Sequence, residues 1–121
     1  MTPLATEIYK QLVRRVRTRH PSITYVELAE QVSKKIPTHQ RSSRLHAALS
    51  EVSLACRANQ LPCLPAIVLR KGTTRPSDGY FKVAHPKVRT EQGRIAAWED
   101  EHTRVVKQAA KYPPTLSARA V

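Results

Sequence analysis

Arg41-Ser42-Ser43-Arg44 places two guanidinium groups and two hydroxyls within about one helical turn, where an amphipathic pattern begins. Arginine reads guanine through a two-pronged hydrogen bond and holds phosphate by charge, while serine reaches either phosphate or base. Arginine is disfavoured at the positive N-terminal pole of a helix, so two of them there point to an external anion. Further along, Arg70, Lys71 and Arg75 sit in a stretch punctuated by Gly72, Pro76 and Gly79, the composition of a basic loop. Tyr25 opens another helical pattern. Its hydroxyl suits a phosphate and its ring suits a core, and the sequence leaves both open.

Catalytic constellations are thin. Cys63 follows Pro62, but Leu64 and Pro65 come next, and a nucleophilic thiolate needs a base or a positive neighbour to lower its pKa. The five histidines, at 20, 39, 46, 85 and 102, have no metal-ligand spacing with Cys56 or Cys63. Glu99, Asp100 and Glu101 read as a solvated helix face, and the glycines lack the strand-to-helix context of a phosphate-binding loop. No active site, cofactor or metal is expected.

The elements that must position these residues follow from periodicity. Thr2 caps and Pro3 opens a first helix, over residues 4–19, with Leu4, Ile8, Leu12 and Val16 on one stripe and Lys10, Arg14, Arg15, Arg17 and Arg19 around it. Thr24 and Glu27 form a capping box for a short helix reaching residue 35. Residues 41–59 carry Leu45, Ala48, Leu49, Val52 and Cys56 at helical spacing, and the pair is a candidate helix-turn-helix. Ala66-Ile67-Val68-Leu69 predicts a buried strand, residues 70–79 a wing, and Tyr80-Phe81-Lys82-Val83 the returning strand of a hairpin. A packing helix over residues 91–110 carries Ile95, Trp98, His102, Val105 and Ala109.

Lys and Arg outnumber Asp and Glu by 21 to 9, a formal charge of +12 that favours a polyanionic partner. The excess is concentrated in residues 1–90, the part holding the helix pair and the basic loop. The longest apolar run is far shorter than the roughly 20 residues of a membrane span, so no membrane partner is expected. Two cysteines without a secretory leader suggest a reducing cytoplasm, with the nucleoid as the site of a DNA-binding protein.

Ile-Thr-Tyr-Val-Glu-Leu-Ala at 23 to 29, Arg-Leu-His-Ala-Ala-Leu at 44 to 49, Leu61-Pro62-Cys63, Ile67-Val68 and Ala97-Trp98-Glu99 together resemble the winged-helix domain of alkylguanine-DNA alkyltransferases and alkyltransferase-like proteins. The resemblance implies that Tyr25 handles a target phosphate. It puts the intercalating arginine of that family at Ser43, with Arg44 substituting after a shift in register. The His and Arg that follow Pro-Cys in the family are missing, so alkyl transfer to Cys63 is not expected.

The expected architecture is mainly α with a small β-hairpin: a winged helix-turn-helix over residues 1–111, with an N-terminal basic helix, a C-terminal packing helix and a disordered tail at 112–121. The expected function is non-catalytic binding of double-stranded DNA, regulatory or protective, through Tyr25, Arg41, Ser42, Ser43, Arg44, Arg70, Lys71 and Arg75. The alternative is a protein-interaction module, an inhibitor or adaptor that docks its basic face on an acidic protein. RNA binding ranks lower, because the basic loops lack interleaved aromatics.

Overall fold

Helix α1, Pro3–Val16, starts where the Thr2 hydroxyl accepts from the Ala5 N–H at 3.2 Å, with proline at the first helical position. Its apolar stripe is buried, and Ala5, Tyr9 and Val13 widen it. The helix stops at Val16, short of the predicted residue 19, where the Thr18 N–H and hydroxyl both donate to the Arg15 carbonyl, at 3.0 and 2.8 Å. Arg15 donates to His20 and Ser22, and Arg17 to Ala109 and Tyr112. The computed structural model describes residues 1–116.

Strand β1, Ile23–Thr24, leads directly into α2, Tyr25–Ser33. Thr24 caps α2 by accepting from the Glu27 N–H at 3.1 Å. Helix α3, Ser43–Ala58, is capped by Ser42, whose hydroxyl accepts from the Arg44 N–H at 3.2 Å, and it presents Leu45, Ala48, Leu49, Val52 and Cys56 to the core. Helix α1 packs against both α2 and α3.

The prolines at 62 and 65 produce a 3-10 turn, Leu64–Ile67, before strand β2, Val68–Leu69. The predicted strand is thus half its expected length. Its partner is β1 in parallel register, Ile23 against Val68 and Thr24 against Leu69. No hairpin forms. Residues predicted to return as a strand belong to helix α4, Asp78–Ala84. Tyr80 and Phe81, adjacent in sequence, are both buried, which a strand with one core face does not allow. Ser77 takes the N-cap position, its Oγ accepting from the Tyr25 hydroxyl and not from the helix, and Asp78 supplies a first-turn acid where a hairpin turn was expected.

Thr90 caps α5, Glu91–Lys107, accepting from the Gly93 N–H at 3.1 Å. A 3-10 turn, Ala109–Lys111, then hands the chain to a segment, residues 112–116, that packs on the core where a disordered tail was expected. Tyr112 is 1% exposed and donates to the Pro62 carbonyl at 2.6 Å, Leu116 is buried, and Tyr9 donates to the Pro113 carbonyl at 2.6 Å. The rest of the predicted tail, 117–121, lies outside the described residues. Side chains from α1, α2, α3, α4, α5, the 64–67 turn and this segment form one core. No helix among the described residues is long and apolar enough to cross a membrane.

Candidate nucleic-acid interface

Ser42, by capping α3, fixes the turn that carries the two nominated arginines. Arg41, Ser43 and Arg44 are exposed, and the Arg41 N–H donates to His39 Nδ1 at 3.1 Å, which holds the approach to the helix. The Ser42 hydroxyl is occupied as a cap on its acceptor side and keeps its own hydrogen to donate.

Arg70, Lys71 and Arg75 project from a tight loop. The Arg70 N–H donates to the Arg75 carbonyl at 2.9 Å, and Thr73 bridges the loop through its backbone and hydroxyl. Gly72 takes a φ of 78°, the left-handed conformation that a glycine adopts without strain. All three basic residues are exposed.

Tyr25 does not face outward. Its hydroxyl donates to Ser77 Oγ at 2.8 Å and accepts from the Ser77 N–H at 3.1 Å, and its ring lies 5.3 Å from that of His46 in the first turn of α3. The phenol ties the start of α2 to the start of α4 and is spent on the fold. The structure thereby joins Tyr25 to His46 of α3 and to Ser77 at the end of the basic loop without offering the tyrosine hydroxyl to solvent.

Cations divide into two groups. Arg15, Arg17 and Arg57 cap backbone carbonyls, while Arg75 pairs with Glu91, Arg94 with Asp78 and Arg104 with Asp100 and Glu101. Arg41, Arg44, Arg70 and Lys71 have no carboxylate partner among the described residues. Of the nominated cations, Arg75 alone is internally neutralised.

No protein-family model, curated protein or solved structure matches this chain.

Cys63 is buried at 2% exposure, with Sγ 3.7 Å from the Ser53 carbonyl. Burial, reinforced by the neighbouring Glu101 carboxylate, pushes the thiol pKa far up and keeps it protonated. Both cysteines are free thiols. Glu101 corrects the reading of the acidic trio, since it is buried while Glu99 and Asp100 are exposed. Its carboxylate meets Arg104 at 2.9 Å, the Tyr80 hydroxyl at 3.4 Å and His85 Nε2 at 3.8 Å. Burial lowers the His85 pKa, favouring the neutral ring, and raises that of Tyr80. Trp98, Glu101 and Val105 recur at spacings of three and four, so the apolar stripe of α5 passes through the carboxylate. That spacing was the available signal. His102, also on that side, is held by Ser22 Oγ at 3.1 Å, and burial lowers its pKa. Among the described residues no group of three His, Cys, Asp or Glu side chains is placed to hold a metal.

The buried acids have a consequence for alkaline stability. Burial pushes Cys56 from its ordinary 9.0 to about 11, and Tyr9 from 10.0 to about 12. The unfolded chain therefore loses these protons first, so their contribution is fully present below pH 9 and is lost as pH rises. Urea midpoints are expected to begin falling near pH 9, and Cys56→Ala should shallow the fall between pH 9 and 11. A two-unit shift corresponds to about 3 kcal/mol, an order-of-magnitude value. Parallel profiles for parent and variant would show that Cys56 is not the group responsible.

Proposed function

We propose that the chain binds double-stranded DNA without catalysis, using α2 and α3 as a helix-turn-helix and the 70–77 loop in place of a wing. The observation that carries this reading is the pair Arg41 and Arg44: two exposed arginines without carboxylate partners at the positive end of α3. The start of α3 enters the major groove, where these arginines and Ser43 meet base edges and phosphates, while Arg70 and Lys71 hold the backbone. Cys63, buried and protonated, acts as a packing residue, so no alkyl transfer is proposed, and Tyr25, hydrogen-bonded to Ser77, is not among the proposed DNA contacts. Regulation or protection of DNA in the cytoplasm follows from such binding.

Salt dependence tests the reading. Each phosphate neutralised contributes a slope of about −0.9 to log affinity against log salt. Lys71→Ala is expected to reduce the magnitude of the slope by about one and to weaken all sequences alike. Arg75→Ala should change it little, because Glu91 already holds that guanidinium. DNA affinity independent of salt would remove phosphate neutralisation from the reading, and retention of an acidic protein and no DNA would instead favour a protein-docking role.

A further inference from the structure

Between the loop after β2, helix α4 and the start of α5 lies a cleft of about 240 Å³, ringed by Arg70, Arg75, Arg89 and Arg94 and lined by Phe81 and Ile95. Two carboxylates share it. Glu91 pairs with Arg75, and Asp78 with Arg94 at 3.3 Å. These pairs leave Arg70 and Arg89 without an acidic partner among the described residues, so the cleft holds a surplus of two positive charges. The Arg94 guanidinium lies over the Phe81 ring at 5.1 Å, and its Nε is buried with no hydrogen-bond partner, an uncommon condition for a buried donor.

A concave site with surplus guanidinium charge, in which the flat Arg94 guanidinium covers the Phe81 ring, suits a planar organic group that ends in a dianion. We infer that the cleft binds a nucleoside phosphate monoester, presented as the end of a DNA strand or as a free nucleotide. A monoester carries about −1.5 to −2 charge near pH 7, which matches the surplus, whereas an internal diester carries a single charge and stands on the convex duplex surface. The strand-end form rests on the DNA-binding reading, and the free-nucleotide form does not.

The full chain is titrated with one duplex bearing a 5′-phosphate, the same duplex bearing a 5′-hydroxyl, and dAMP against deoxyadenosine. The 5′-phosphate duplex is expected to bind about tenfold tighter than its hydroxyl counterpart, the gain of one charge-assisted contact. That preference should vanish in Arg70→Ala and in Arg89→Ala, both at exposed positions, and survive in the Arg41→Ala/Arg44→Ala double variant, which weakens both duplexes equally. If neither duplex binds while dAMP does, with the same dependence on Arg70 and Arg89, the DNA-binding reading fails and the free nucleotide is the ligand. Equal binding of the two duplexes with no binding of dAMP overturns the inference and leaves DNA binding intact. A preference that survives both single variants also overturns it, as does phosphoserine competing as well as dAMP. If no probe binds, both readings fall.

Discussion

Replacing Arg41 and Arg44 together by alanine is expected to weaken duplex DNA binding by a few kcal/mol, since each good base contact contributes about 1–3 kcal/mol. Folding should be untouched. Both side chains are exposed, the cap on α3 comes from the Ser42 hydroxyl, and removing two charges from the positive helix end relieves a mild repulsion. The measurement is fluorescence anisotropy on a specific and a scrambled duplex, with circular dichroism as the control. Parent-like affinity in a folded double variant would remove α3 from the recognition role, whatever the loop contributes.

Tyr112→Ala should produce the largest loss of stability among simple substitutions near the C-terminal end, about 3–5 kcal/mol by analogy with other buried aromatics. Total stabilities are about 5–15 kcal/mol, so this is a large fraction. The ring is buried in the common core, and the variant both empties that volume and strands the Pro62 carbonyl. Tyr112→Phe separates the two effects and should cost only about 1 kcal/mol, that of the hydrogen bond. Urea unfolding followed by circular dichroism reads both. An alanine variant as stable as the parent would mean that residues after α5 do not contribute to the fold in solution.

The helices whose start and stripe are both encoded locally were legible in the sequence. Thr2-Pro3 with Leu4, Ile8, Leu12 and Val16 gave α1 its start and buried face, and the Thr24 cap did the same for α2. Where one local pattern served two structures, reading failed. Ser77-Asp78-Gly79 is as good a helix start as a turn, and only the joint burial of Tyr80 and Phe81 against α3 decides for α4. Strand β2 was located by its apolar run, but its partner 45 residues upstream leaves no mark in a local window. Composition and helix-pole chemistry nominated Arg41, Arg44, Arg70 and Lys71, and the structure leaves all four exposed. Tyr25 and Arg75 were nominated too, yet their internal partners, Ser77 and Glu91, are tertiary neighbours that spacing does not announce. Glu101 was hidden by the exposed acids beside it.

The Tyr9 hydroxyl reaches the Pro113 carbonyl across 104 residues of chain. The first helix is thus closed by nearly the last described segment, and the order of synthesis opposes completion of the fold. While the chain is being made, α1 can pack on α2, α3 and the 64–67 turn, but the part of its face around Tyr9 is closed only after residue 113 has emerged. Long-range closure of this kind slows folding relative to a bundle of local contacts. It also makes a nascent chain stopped before Tyr112 an aggregation-prone intermediate that exposes apolar surface.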